Sequence, residues 1–163
     1  MEIWDLYTRD GHPTGETAPR GRPLPQGRFH IVSSVLLRHR DGTYLVMRRD
    51  PEKPLHPGRW EATGGGSALT GEDALACAKR ELLEETGIPG EDFHEVDVYV
   101  SDQNQCRHHC FTASTDRDKT AVTLQPGETV AYRWLTPEAL REAIDAGEIL
   151  STAMTRWWRT TLP

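Results

Sequence analysis

The sequence is poor in cysteine, in long apolar runs and in positive charge. Its three cysteines, Cys77, Cys106 and Cys110, fall into no repeated CxxC pattern. That spacing argues against a disulfide framework and fits a reducing compartment. No apolar run approaches the length of a bilayer span, so no membrane partner is expected. Lys and Arg number 19 against 25 Asp and Glu, for a net charge of −6. A chain with that balance lacks the basic footprint of a nucleic-acid binder, and a phosphate-bearing ligand would need local cations. The opening MEIWDLYTRDGHP carries acids where a secretory leader has basic and then apolar residues, so the cytoplasm is the expected location. Neither internal repeats nor low-complexity segments are present.

What is there fits one α/β domain. The 163 residues are 36% hydrophobic and 27% charged, within the globular range. EIWDLYT (2–8) reads as a short strand, and residues 11–27, with several Gly and Pro, as a loop or arm. FHIVSSVLLRH (29–39), TYLVMRR (43–49) and RWEAT (59–63) read as strands, the first two joined by a hairpin at Asp41-Gly42. Gly64-Gly65-Gly66 reads as a turn. The helix that follows, capped by Thr70 with Asp73 and stopped by Gly87, has Leu75, Leu82 and Leu83 as its bulky apolar side. HEVDVYVS (94–101), RHHCFTAST (107–115) and TVAYRWLT (129–136) are further strands, and PEALREAIDAG (137–147) is a helix stopped by Gly147. The tail 151–162 reads as a short helix whose Trp157 and Trp158 cover core or a partner. Helices fall between and after groups of strands, which predicts a mixed sheet flanked by helices.

The first helix breaks two local rules. Glu81 and Glu85 sit four apart and repel by roughly 0.2–0.5 kcal/mol. With Glu84 they also crowd a helix C-terminus, where the backbone dipole favours cations. Carboxylates at i, i+3 and i+4 on one face can share a hard divalent cation such as Mg²⁺, with substrate phosphates completing its shell. Ala74, Cys77 and Ala78 lie on the same side. That stripe of small residues lets a neighbouring backbone come close enough to offer a carbonyl to the same ion.

Gly66, five residues, Glu72, seven residues, then Arg80-Glu81-Leu82-x-Glu84-Glu85-x-Gly87-Ile88 resembles the Nudix box at every specified position over 66–88. The resemblance implies an α/β/α sandwich spanning 1–163, with an arm at 1–27, a core at 28–137 and a helical part at 138–163. It implies hydrolysis of a nucleoside diphosphate linked to another moiety, with Mg²⁺ or Mn²⁺ as cofactor and a small-molecule diphosphate as partner. A homodimer is the accompanying oligomeric expectation. Residue by residue, it makes Glu81, Glu84, Glu85 and the Gly65 carbonyl metal ligands. It pairs Glu72 with Arg80, the arginine orienting glutamates and Glu72 also contacting metal. Proton transfer falls to a glutamate, either Glu81 or Glu84 in the box or Glu128 beyond it. In the family a glutamate often stands where this chain has Ala131. For the substrate anion the candidates are Arg48, Arg49, Lys53 and Arg59, with Arg49 and Arg59 placed at the site.

The phrases WDLYTRDGHPTG, RGRPLPQGRFHIV and LVMRRDPEKPLHPGRW resemble the Nudix subgroup related to isopentenyl diphosphate isomerases. His30 matches one ligand position of those isomerases. Their second histidine is replaced by Pro23, and WEATGGG lacks their cysteine. Shared scaffold with hydrolase chemistry is therefore the reading. The alternatives are a nucleotide sensor that does not cleave, and an isomerase-like enzyme. Within CRHHC (106–110), strand alternation puts Cys106, His108 and Cys110 on one face and His109 on the other, as a half-buried strand rather than a zinc site. Cys77 is expected to be a packing residue.

Overall fold

The computed structural model describes residues 1–150 and Trp158. Residues 11–27 depart from the expected loop. Pro13–Pro19 (β2) pairs antiparallel with Ile3–Tyr7 (β1) as a two-stranded ribbon. Its strand character is hidden from periodicity because only Ala18 of β2 is buried. Tyr7 exchanges backbone hydrogen bonds with Phe29, and the Thr70 N–H donates to the Ile3 carbonyl, so the ribbon is pinned to the rest of the fold.

The main sheet is built on His30–His39 (β3), whose run of Val and Leu is buried on both faces, as a central strand requires. Tyr44–Arg49 (β4), Trp60–Ala62 (β5), Gly64–Ser67 (β6), Glu91–Ser101 (β7), Cys106–Thr115 (β8) and Thr129–Leu135 (β9) complete it. The order is β5-β4-β3-β8-β7, with β6 on β3 and β9 on β4. β3 and β8 run parallel in unbroken register from His30↔Cys106 to His39↔Thr115, and the other pairings are antiparallel. Ala74–Thr86 (α1) covers one face through Ala78 and Leu82 against Val35, Leu37 and Phe111. Pro137–Asp145 (α2) covers the other through Leu140 and Ile144 against Leu36, Val46 and Cys110. This is the expected mixed sheet between helices, an α/β/α sandwich. Among the described residues no helix is long and apolar enough to cross a membrane.

Two readings of α1 change. Leu75 and Leu83 are exposed, and the buried stripe is Ala74, Cys77, Ala78 and Leu82. The glycine segment explains this: it is the strand β6 rather than a turn, and it seats α1 on its small-residue side. The helix 151–162 and Trp157 lie outside the described residues. Trp158 is buried, edge-on to Tyr44 with ring centroids 4.7 Å apart.

β3 and β4 register only at Arg38↔Tyr44, and beyond their hairpin the two strands part. Thr63 fills the gap. Its hydroxyl oxygen accepts from the Leu37 N–H at 2.8 Å and donates to the Leu45 carbonyl at 2.6 Å. Thr63 is fully buried, so Thr63→Val leaves both backbone groups unpaired out of reach of water. The expected loss is about 2–6 kcal/mol at roughly 1–3 per unsatisfied group. Urea unfolding tests it: Thr63→Ser stays within about 1 kcal/mol of wild type if the hydroxyl matters, whereas equal losses for both variants refute the bridge.

Candidate active site

α1 begins at Asp73, whose carboxylate accepts from the Ala76 N–H at 2.7 Å. The expected cap, Thr70, is drawn away because its hydroxyl donates to the Ile3 carbonyl at 3.1 Å. The helix stops at Gly87, which adopts φ 70°. Between these ends, β6 lies closer to its neighbours than a side chain permits. A Cβ on Gly65 would stand 2.5 Å from the Ser33 carbonyl oxygen, and one on Gly66 would stand 2.4 Å from Glu81 Oε1. Glycine here lets Glu81 and Glu85 lie directly against backbone. The Cys77 thiol donates to the Gly66 carbonyl at 3.5 Å. Burial pushes that thiol up to about 12, so Cys77 is a packing group and not a nucleophile.

Arg80 organises the carboxylates. Its Nε and Nη2 donate to the two oxygens of Glu72 at 2.7 and 2.9 Å, and Nη2 also reaches the Ser67 carbonyl at 3.1 Å. Nη1 donates to Glu81 at 2.7 Å and to Glu84 at 3.2 Å. Glu72 additionally accepts from the Leu69 N–H, and Arg80 holds its carboxyl below the usual range. Both oxygens of Glu72 are thus engaged in holding Arg80. Glu72 does not line the cavity described next.

That cavity, of about 270 Å³, gathers Glu81, Glu84, Glu85, Gly65, Arg80, Glu128 and Arg49 from the sequence reading. Glu85 Oε2 accepts from the Gly65 N–H at 3.2 Å. Burial, then the charges of Glu81 and Glu61, push its carboxyl up to about 8. Glu81 is raised too, by burial first, against the opposing pull of Arg80. Among the described residues no three carboxylate, imidazole or thiol groups converge tightly enough to enclose an ion. The reason is visible in the contacts: Arg80 draws Glu81 and Glu84 to itself while Glu85 turns to Gly65.

The cations are distributed differently from expectation. Arg59 donates to the Gly147 carbonyl and does not line the cavity. Arg49 lines it but is engaged with both Glu61 oxygens at 3.0 Å and with the Leu55 carbonyl. Lys53 lines it in an ion pair with Glu128. Glu2 and Arg20, paired at 2.7 Å, come from the ribbon. Only a tertiary contact brings them in, and no local signal in the sequence announces it.

On the face registered to His30, Val32 and Ser34, the CRHHC segment places Cys106, His108 and Cys110. His108 is held between Ser34 Oγ at 2.6 Å and Tyr99 OH at 3.0 Å. His109 Nδ1 lies 2.8 Å from Glu95 Oε2. The segment is a half-buried strand.

Comparison with known proteins agrees with this geometry. The NUDIX domain family matches residues 28–157. An uncharacterized Nudix hydrolase of Listeria monocytogenes is 30% identical over 156 residues, 92% of this chain and 89% of its own length. The uncharacterized Nudix hydrolase YfcD of Escherichia coli K12 is 31% identical over 133 residues, 78% of this chain and 71% of its own. The crystal structure of DR0079 from Deinococcus radiodurans superimposes with a TM-score of 0.78 at 22% identity, covering 99% of this chain and 100% of that one. A MutT protein from Methanosarcina mazei gives 0.64 at 21% identity, over 83% of this chain and 96% of that one. The last two likenesses bear on the fold alone. With the family match spanning most of its length, the chain belongs to the Nudix family of phosphoanhydride hydrolases.

Proposed function

We propose that this protein is a divalent-cation-dependent hydrolase that cleaves the diphosphate linkage of a nucleoside diphosphate derivative or a related small organic diphosphate. Water attacks phosphorus, and a phosphate ester leaves. One observation carries the reading: half-buried Glu85 shares a single cavity with three further glutamates of the reading, Glu81, Glu84 and Glu128, and with Arg49 and Lys53. Carboxylates alone would repel a diphosphate, and cations alone would bind it without activating water.

The donor set fits Mg²⁺ or Mn²⁺. The oxygens are hard, and the raised carboxyl of Glu85 marks an excess of buried negative charge that a cation relieves. Glu81, Glu84, Glu85 and the Gly65 carbonyl would hold it. Bound there, the ion neutralises the diphosphate and makes a neighbouring water more acidic. Arg80 keeps the glutamates aligned. Lys53 exchanges Glu128 for a phosphate oxygen, which leaves Glu128 able to accept the proton of the attacking water. Glu84, half-exposed at the cavity mouth, is the other proton acceptor.

The working unit includes the arm 1–27 together with the core 28–137, since Glu2 and Arg20 of the arm complete a cavity otherwise built from the core. Likeness of the N-terminal phrases to the isomerase-related subgroup extends the substrate class toward small organic diphosphates. Cys77, Cys106 and Cys110 are free and buried, which suits the cytoplasm as the working compartment.

Turnover of nucleoside triphosphates, nucleotide sugars, dinucleotides and small organic diphosphates with Mg²⁺ or Mn²⁺, followed by ³¹P NMR, tests the proposal. Metal-dependent cleavage that disappears in Glu85→Gln is the expected result, and a panel left intact at saturating metal overturns it. In the same assay Glu128→Gln is expected to lower kcat roughly 100–10,000-fold with little change in KM, the ordinary range for losing a general base. An unchanged kcat assigns the proton to Glu84 instead.

A further inference from the structure

The cleft does not end at the glycine strand. A second cavity of about 180 Å³ shares Val32, Gly65 and Gly66 with the glutamate cavity and continues past them to Ser34, Glu61, Ala62 and His108. The two cavities therefore adjoin along β6 as two chemically different ends. The first end holds Arg49, Lys53, Arg80 and Arg20. Among its described lining residues the second end has no lysine or arginine, and its one carboxylate, Glu61, is engaged by Arg49.

His108 adds no charge there either. Ser34 Oγ lies 2.6 Å from its Nε2 and Tyr99 OH 3.0 Å from its Nδ1, so both ring nitrogens already have hydroxyl partners. Burial pushes the imidazole down to about 4, which leaves it neutral at physiological pH. Tyr99 also stacks on it, with centroids 4.9 Å apart and planes 15° from parallel. The ring is an immobilised aromatic wall, facing Val32, Ala62 and bare glycine backbone.

The volume limits what can sit there. A dry cavity of about 150 Å³ accepts benzene. One of about 180 Å³ is filled by a single ring or a short branched chain, whereas a nucleoside, with roughly twice that bulk in sugar and base, would reach out of it into solvent. A second anionic group at this end would meet no cation, and burying it unpaired is strongly unfavourable.

We propose that this second cavity receives the non-phosphate end of the substrate. The group it takes is uncharged and about one ring in size, and Ala62 with the Ser34-His108-Tyr99 clamp sets that choice. The proposal rests on the hydrolase reading above and narrows it to diphosphate monoesters of small organic alcohols.

The test is kcat/KM for methyl, 3-methylbutyl and benzyl diphosphate and for the nucleoside diphosphates ADP and CDP, with Mg²⁺. Wild type is expected to favour 3-methylbutyl or benzyl over methyl, and over both nucleosides, by at least tenfold. Ala62→Leu, which fills the cavity, is expected to shrink that ratio to within about threefold of one. His108→Gln, which keeps the ring's volume only in part, is expected to shrink it less. The wild-type series decides even where neither variant folds. Equal efficiency for methyl and benzyl, or a preference for ADP or CDP, overturns this inference and leaves the hydrolase standing. Should no diphosphate be cleaved, methyl included, the hydrolase reading fails by itself. Calorimetric binding of the methylene-bridged bisphosphonate analogues, with Ca²⁺, then still decides: benzyl at least tenfold tighter than methyl supports the cavity's role, and equal affinity refutes it.

Discussion

Glu85→Gln is expected to raise the melting temperature of the metal-free protein at pH 8.5 while lowering kcat/KM at least a hundredfold. The two effects share one cause. Glu85 is half-buried near Glu81, Glu61 and Glu128, and its carboxyl is pushed up to about 8. At pH 8.5 it is largely ionised, so the fold carries a desolvated charge among like charges. Glutamine keeps the acceptor for the Gly65 N–H and removes the charge. The rise from near 4.3 to about 8 corresponds to about 5 kcal/mol at about 1.4 per pKa unit, and solvent screening of a half-buried carboxylate reduces the gain to the order of 1–3 kcal/mol. For a chain of this size that is roughly 3–10 °C. The sign in pH follows from the same shift. A carboxyl raised in the folded state stabilises the fold below its unfolded value near 4.3, and that stabilisation is lost as pH rises through about 8. His30 and His108, pushed down to about 4 by burial, oppose it only below about pH 6.5, where the unfolded imidazoles take up protons. In EDTA, wild-type melting temperature should therefore fall from pH 6.5 to 8.5, and that slope should flatten in Glu85→Gln. Millimolar Mg²⁺ should reverse the order of the two proteins, because a cation that binds only the folded state adds stability to the wild type. Scanning calorimetry across those pH values, with and without Mg²⁺, reads all of it. A variant that melts below wild type in EDTA as well as in Mg²⁺ would show that Glu85 is an ordinary structural carboxylate.

How much of this was legible in the sequence depended on how local each feature is. The box could be read because a helix fixes which side chains share a face within a dozen residues. Glu81, Glu84 and Glu85 accordingly meet in one cavity beside Gly65. The buried side of α1 was half legible. Ala74, Cys77 and Ala78 announced a close approach, but Leu75 and Leu83 are exposed because α1 seats its small-residue side, not theirs, against β6. Glycine is what hid β6: a strand without side chains has no alternation to read. The ribbon strand β2 was hidden for the opposite reason, being exposed along nearly all its length. Arg59 and Lys53 illustrate the limit for single charges. Both lie between β4 and β5, yet the chain sends one to the Gly147 carbonyl and the other to Glu128 in the cavity. Which way such a residue turns is set by tertiary contacts with residues 75 or more positions away. His108 is the clearest case: alternation gave its face correctly, and only the fold gave it Ser34 and Tyr99.

Arg80→Met is expected to lower stability by about 2–4 kcal/mol and kcat by at least a hundredfold. Removing the guanidinium strands Glu72 and Glu81, whose side chains are 20% and 14% exposed, and leaves the Ser67 carbonyl without its donor. Removing one partner of a buried pair typically costs about 3–5 kcal/mol, reduced here because the pairs keep some contact with water. Lysine is no substitute: one ammonium cannot grip both Glu72 oxygens while reaching Glu81 and Glu84. Stability loss alone does not show that Arg80 positions the glutamates, so the second half of the prediction separates the two roles. In Arg80→Met/Glu72→Leu the pair is replaced by apolar groups of similar bulk, and most of the lost stability should return. Activity should not return, because nothing then holds Glu81 and Glu84 in line. KM should stay within a fewfold of wild type throughout, since none of the four contacts touches the organic end of the cleft. The Mg²⁺ concentration for half-maximal rate should rise at least tenfold. Urea unfolding and Mg²⁺-dependent kinetics on the same three proteins decide the matter. Recovery of kcat together with stability in the double variant would reduce Arg80 to a structural residue, and would leave the alignment of the box glutamates to the glycine strand alone.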